Sequence, residues 1–184
     1  MSTHECASTD TKPDPTSPTT VRVLVTAASR HMATAQIADS IAGQLTAAGH
    51  VVDIREPGSV HDLDNIDAVV LGSAIYMGRW LKPARELVAR LGPELASRPV
   101  WMFSSGPVGD PLRPSEDCAD AGAAVTATGA REHRVFAGQV DRDQLGFAER
   151  AMVRTFHAAV GDFRDWEEIK EWARDIDAQL AATR

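Results

Sequence analysis

Asp67-Ala68-Val69-Val70-Leu71-Gly72-Ser73-Ala74-Ile75-Tyr76-Met77-Gly78 opens with a near-continuous apolar run. A strand with one wet face alternates polar and apolar residues, so this unbroken run predicts a strand over 67–72 that is covered on both faces. Such strands belong to parallel sheets, because every parallel step needs a crossover and helices supply it on both sides. The flanking sequence carries the same signal outward.

Upstream, Val21-Arg22-Val23-Leu24-Val25 is a short β-rich run that passes at residues 29–34 into a helical stretch ending near Ala48-Gly49, where Gly49 suits a C-cap. Val51-Val52-Asp53-Ile54 reads as the second strand, joined to the third by Pro57-Gly58 and a short segment at 60–65. Downstream, a helix over 81–91 carries Pro83 in its first turn and is expected to end before Gly92-Pro93. Pro99-Val100-Trp101-Met102-Phe103 follows as the fourth strand, an Ala-rich helix spans about 114–128, and Glu132–Phe136 is the fifth strand. Asp165-Trp166-Glu167-Glu168 opens the last helix, with Ile169, Trp172, Ile176 and Leu180 as its buried stripe. No internal repeat is seen. The expected fold class is therefore α/β, a doubly wound five-stranded parallel sheet with helices on both faces in three layers.

Residues 141–162 are longer than an ordinary connection of about 2–6 residues. They carry Phe147, Met152, Val153, Phe156 and Val160 at roughly helical spacing and read as an insertion with its own apolar face. That face has three places to pack: on the domain, on a second copy, or at a membrane surface, as a peripheral contact. The oligomeric state stays open, and packing within the chain is the default.

At 184 residues and 43% hydrophobic content the chain suits one domain, expected over 21–184. Residues 1–20, rich in Ser, Thr, Pro and Asp, are expected to be a disordered tail, since they cannot bury enough apolar surface to offset ordering. A net charge of -7 argues against nucleic acid as a partner. Cys6 and Cys118 have no metal or redox spacing and read as free thiols of a reducing cytoplasm, Cys118 as a structural one. There is no secretory pattern and no run of the ~20 apolar residues that a membrane span needs. A dinucleotide GxGxxG and a phosphate-binding GxxxxGK[ST] are both missing. A phosphoacceptor receiver is excluded, because Thr26-Ala27 and Gly72-Ser73 stand where its acidic residues would be.

In an open parallel sheet, ligands bind beyond the carboxyl ends of the strands. Three loops meet there. After the first strand, Ser29, Arg30, His31, Met32, Ala33 and Thr34 lead into a helix start, whose free N–H groups and dipole favour a phosphate. Equally, Ser29 or Thr34 serves as a plain helix cap, and His31 as a solvent-facing residue. After the third strand, Ala74, Ile75, Tyr76, Met77 and Gly78, with Trp80 beyond, can lay amides and an aromatic face along a flat ring, or Tyr76 and Trp80 simply close the sheet. After the fourth, Ser105, Gly106, Pro107, Val108 and Gly109 allow close backbone approach to a ligand, or form an ordinary turn. Together the three loops supply a phosphate cradle and two walls for a ring.

These residues resemble the flavodoxin superfamily, and more closely the flavodoxin-domain proteins that include menaquinone-dependent protoporphyrinogen oxidase. The resemblance is carried by residues 24–34, 67–78, Phe103-Ser104-Ser105-Gly106-Pro107 and Gly161-Asp162-Phe163-Arg164-Asp165-Trp166, and it spans about 21–180. It implies strand order 2-1-3-4-5 and FMN as cofactor. It further implies the phosphate at residues 29–34, the isoalloxazine between 74–78 and 105–109, and an insertion at 141–162 that meets quinone or porphyrinogen partners or a redox protein. The chain departs from the family pattern at Ala27, Met32 and Ala33, where an aromatic residue, Gly and Ser are usual. If the glycine position is left-handed, Met32 there costs about 1–2 kcal/mol. Losing a hydroxyl bond to a charged phosphate at Ala33 costs about 1.5–3 kcal/mol. Arg30 or His31 could compensate by pairing with the phosphate, or a reshaped loop could give Met32 an ordinary conformation. The rival expectation is a binding or regulatory module that kept the fold and lost the cofactor.

Overall fold

The computed structural model describes residues 20–106, 118–141, 146 and 160–182. The expected tail up to residue 19 and most of the insertion, with Phe147, Met152, Val153 and Phe156, lie outside the described residues.

The central strands are β1 (Arg22–Ala28), β2 (Val51–Arg55), β3 (Ala68–Tyr76), β5 (Val100–Ser105) and β6 (Glu132–Phe136), parallel and ordered β2-β1-β3-β5-β6. This is the expected order, with one short strand, β4 (Arg79–Trp80), added antiparallel on the end of β3. A separate two-stranded ribbon pairs β7 (Gln139–Val140) with β8 (Gly161–Asp162). The helices are α1 (Ala33–Ala47), α2 (Lys82–Ala96), α3 (Ala119–Thr128) and α4 (Trp166–Ala182).

The central strands β1, β3 and β5 are buried on both faces, which is why β3 and β5 read as nearly unbroken apolar runs. Alternate residues go to opposite cores. Val23, Val25, Val70, Trp101 and Phe103 pack under α1 and α4 with Ile37, Ile41 and Trp172. Leu24, Val69, Leu71 and Met102 pack with Trp80, Leu87, Leu95 and Ala121 of the segments leading into and forming α2 and α3. Ile169, Trp172, Ile176 and Leu180 are all buried, as their spacing predicts. Asp165 begins that helix by accepting hydrogen bonds from the N–H groups of Glu167 and Glu168, both at 3.0 Å.

Several boundaries differ from expectation, and β1, expected over 21–25, runs on to Ala28. β3 does not end at Gly72 but runs on to Tyr76. A Cβ on Gly72 would lie 2.1 Å from Cζ of Phe103, so this glycine makes room for a ring that packs against Phe136 and Trp172. β5 likewise continues through Ser104 and Ser105, both buried. α2 passes Gly92-Pro93 with a kink at Leu91 (φ -114°, ψ 16°) and continues to Ala96, because burying Leu95 rewards another turn and Pro93 falls where the kink has already broken the ladder. α3 starts at Ala119, and residues 114–117 of the helix expected there lie outside the described residues. Cys118 just before it is free and buried. Residues 161–162, expected at the end of the insertion, form β8.

Candidate functional site: a pocket at the carboxyl edge of the sheet

The loops after β1, β3 and β5 converge on one pocket. Ser29, Arg30, His31, Ala33 and Thr34 form its first wall, Ala74, Ile75 and Tyr76 its second, Ser105 and Gly106 its third. A fourth wall was missed by the sequence reading: Gly138, Gln139, Val140 and Asp141, on the exit from β6. The signal was available, since the fifth strand of a parallel sheet also delivers its exit to the carboxyl edge. Other expected residues are not brought in. Met32 is 59% exposed and lines a neighbouring groove, Met77 is 74% exposed, and neither they nor Gly78 belong to the walls. Trp80 is buried in the core under α2 rather than facing a ring. Pro107, Val108 and Gly109 lie outside the described residues.

The Ser29 hydroxyl is buried and has no hydrogen-bond partner. Met32 precedes α1 in a left-handed conformation (φ 62°, ψ -20°), offers no side-chain cap, and is followed by a first turn without an acidic residue. The loop is turned by bonds from Ala33 N–H to the His31 carbonyl and from Gln36 N–H to the Met32 carbonyl, at 2.8 and 2.9 Å. The N–H groups of Thr34 and Ala35, in the first turn, have no partner inside the helix, so they and Ser29 form a donor set suited to an anion. The Arg30 guanidinium lies 4.3 Å from the centre of the Tyr76 ring, bridging the first and second walls.

The second wall, by contrast, is fully braced. Tyr76 and Arg79 pair across a two-residue turn in which Met77 (φ 52°) and Gly78 (φ 73°) are both left-handed, the geometry of a primed hairpin turn. Asp120 receives Nε and Nη2 of Arg79 at 2.8 and 2.9 Å and the N–H of Trp80 at 3.1 Å. The hydrogen bond from Arg79, with the Trp80 amide and the charges of Arg79 and Arg85, holds the Asp120 carboxyl below its usual pKa against the opposing pull of burial. Trp80 Nε1 donates to Ser104 Oγ at 2.8 Å, and that oxygen lies 2.8 Å from His133 Nε2. Leu81 N–H donates to Ser73 Oγ at 2.9 Å.

Two glycines bring the third and fourth walls together. A Cβ on Gly106 would sit 3.1 Å from Ile75, and one on Gly138 would sit 3.1 Å from the Gly106 backbone. An orphaned hydroxyl at a helix start, an aromatic and aliphatic wall, and a close-packed glycine floor fit a phosphorylated, flat heteroaromatic group such as FMN. Among the described residues there is no cluster that would hold a metal ion. No described helix is long and apolar enough to cross a membrane.

A family model described as a flavodoxin domain matches residues 24–165. No curated protein matches the chain. Solved structures do. A flavodoxin from the domain Archaea is 15% identical with TM-score 0.59, over 87% of this chain and 99% of that one. Oxidised Flavodoxin 2 from Bacillus cereus is 21% identical with TM-score 0.60, over 87% and 99%. Rubredoxin oxygen:oxidoreductase from Desulfovibrio gigas is 16% identical with TM-score 0.62 over 88% of this chain, which spans only 36% of that larger protein. At these identities the likeness is one of fold.

Proposed function

This chain belongs to the flavodoxin-domain family, a family of FMN-type electron carriers, and we propose that its own task is redox exchange with a quinone or porphyrinogen. The cofactor is FMN. When bound, FMN supplies one- and two-electron transfer, and the protein's part is to hold it, orient it and set the polarity around it. The observation that carries the reading is the partnerless Ser29 hydroxyl beside the uncapped start of α1, inside a pocket whose other walls include Ile75 and Tyr76. In this reading Ser29, Thr34 and the first-turn amides hold the phosphate. Tyr76, Ile75, Ser105 and Gly106 flank the ring, with Pro107, Val108 and Gly109 next along the chain. Gln139 and Val140 close the remaining side. The proposal of an apolar or ring-shaped reaction partner, in the manner of menaquinone-dependent protoporphyrinogen oxidase, is supported by the apolar residues Leu145, Phe147, Met152, Val153 and Phe156, which follow the wall residue Asp141 in the sequence. The absence of paired cysteines from the sequence pattern supports a reducing cytoplasm as its place.

A second reading, a module that has lost its cofactor, is favoured by one observation. Met32 does stand in left-handed backbone, so the strain is present, at about 1–2 kcal/mol. The folded chain carries that strain itself, at a cost in stability, while the hydroxyl missing at Ala33 removes about 1.5–3 kcal/mol of binding, roughly one to two decades of affinity. Native purification followed by absorption spectroscopy and FMN titration separates the readings. Flavin that copurifies or binds at micromolar concentration supports the first and leads to turnover assays with menaquinone and protoporphyrinogen. No binding at high micromolar FMN overturns it in favour of the second.

A further inference from the structure

Arg164 is a buried charge that the electron-transfer reading leaves unused. Its side chain is 4% exposed, although it lies on the short connection between β8 and α4. Nε and Nη2 donate to the two oxygens of Asp162 at 2.8 and 2.6 Å. Nη2 also donates to Gln139 Oε1 on β7 at 2.9 Å. Nη1 crosses to α1, donating to the Ala33 carbonyl at 3.2 Å and to Gln36 Oε1 at 2.7 Å. The Trp166 ring covers the guanidinium at 4.4 Å. Ala33 and Gln139 both line the pocket.

We infer that Arg164 is a positioning residue for the cofactor: it locks the start of α1, where the phosphate is held, to the β7 wall. The inference rests on the FMN reading of the pocket. Left-handed backbone at a side-chain-bearing residue persists only where the surroundings over-determine it. Met32 has no cap of its own, and the carbonyl of the next residue, Ala33, is where Arg164 takes hold. The planar fork of arginine can serve a carboxylate, two side-chain amides and a carbonyl at once, which the single nitrogen of lysine cannot. A cradle with fewer donors of its own is thus kept in binding geometry by a residue far along the chain.

Arg98 provides the control. It is a comparable tether away from the pocket, with Nη1 donating to the carbonyls of Leu63 and Ile66 at 2.7 and 2.8 Å and Nε to that of Glu94 at 2.9 Å. Full-length Arg164→Lys and Arg164→Gln are compared with Arg98→Lys and Arg98→Gln by FMN titration, thermal melting and amide hydrogen exchange of the FMN-free protein. All four should melt earlier. Only the Arg164 variants should raise the FMN Kd, by about 10–100-fold, the usual effect of removing a group that orients direct ligands. The Arg98 variants should stay within about threefold of wild type. Exchange at the first turn of α1 and at Gln139 and Val140 should quicken in Arg164→Lys and not in Arg98→Lys. Gln36→Ala, which removes one acceptor outside the pocket walls, should show a smaller change of the same kind and serves if Arg164→Gln does not fold. An unchanged Kd in the Arg164 variants, or equal losses in both sets, overturns the inference. If wild type binds no FMN, the cofactor reading falls, and the exchange comparison still decides whether Arg164 holds the two walls: equal protection in wild type and Arg164→Lys sinks it.

Discussion

The hairpin carrying Tyr76 and Arg79 and the loop at residues 29–34 flank the same pocket, and each places an exposed methionine in left-handed backbone, Met77 at φ 52° and Met32 at φ 62°. Their polar groups are treated differently. Around the hairpin, Asp120, Ser104 and Ser73 receive bonds from Arg79, Trp80 and Leu81 within the described structure. Around the loop, Ser29 keeps a buried hydroxyl with no partner and α1 starts without a cap. A buried polar group without a partner costs about 1–3 kcal/mol. A region that bears this cost beside a fully satisfied neighbour is where a ligand belongs, and the satisfied neighbour is its scaffold.

The comparison can be broken most severely at the root of the hairpin. Gly72→Ala would drive a Cβ into the buried Phe103 ring and should destabilise the protein by about 1–3 kcal/mol or more in urea unfolding. A neutral result would mean that β3 does not hold the hairpin as described. Next come two serines with opposite expected outcomes. Ser29→Ala should leave stability unchanged or slightly raised while weakening FMN by about 1.5–3 kcal/mol, the worth of a hydrogen bond to a charged group. Ser104→Ala should cost about 1–3 kcal/mol of stability by stranding Trp80 Nε1, with FMN affinity little changed. If the two variants behave alike, scaffold and site have not been distinguished.

Smaller effects sharpen the contrast. Met77→Asn places a residue suited to the first position of a primed turn and should stabilise by roughly 0.5–1 kcal/mol in thermal or urea melts. The acid limb of stability should carry both regions. Asp120 is held below its usual pKa chiefly by its hydrogen bond from Arg79, and Asp162 chiefly by that from Arg164. A carboxyl depressed in the folded state contributes fully above the ordinary carboxylate pKa of about 3.9, and that contribution is lost as pH falls below it towards the depressed value. Melting temperature should therefore drop below about pH 4. Asp120→Asn should flatten part of that drop, leaving the shares from Asp162 and from Asp53 and Glu167, which are also held below their usual range, as melts across the acid range would reveal.

Much of this was legible beforehand, for physical reasons. Strands buried on both faces announce themselves by unbroken apolar runs, and the stripe Ile169, Trp172, Ile176 and Leu180 fixes the inner face of α4. Ten of the sixteen expected site residues line the pocket, because strand exits fix where loops converge: Ser29, Arg30, His31, Ala33, Thr34, Ala74, Ile75, Tyr76, Ser105 and Gly106. What escaped depends on pairs distant in sequence. Gly72 looked like the end of the strand because its reason for being glycine is Phe103, on the neighbouring strand. Trp80 stayed open between a ring wall and a residue that closes the sheet, which is where it packs, because its partner Ser104 lies 24 residues away. Arg164 gave no local sign of reaching Ala33, 131 residues upstream.

The central claim is that the start of α1 and Ser29 hold a phosphate, and titrating the same wild-type protein with FMN and with riboflavin tests it most directly. Two charged hydrogen bonds of about 1.5 kcal/mol or more each predict that FMN binds at least about 100-fold tighter than riboflavin, which has the same ring without the phosphate. Equal affinity for the two, or binding of neither, would contradict the account.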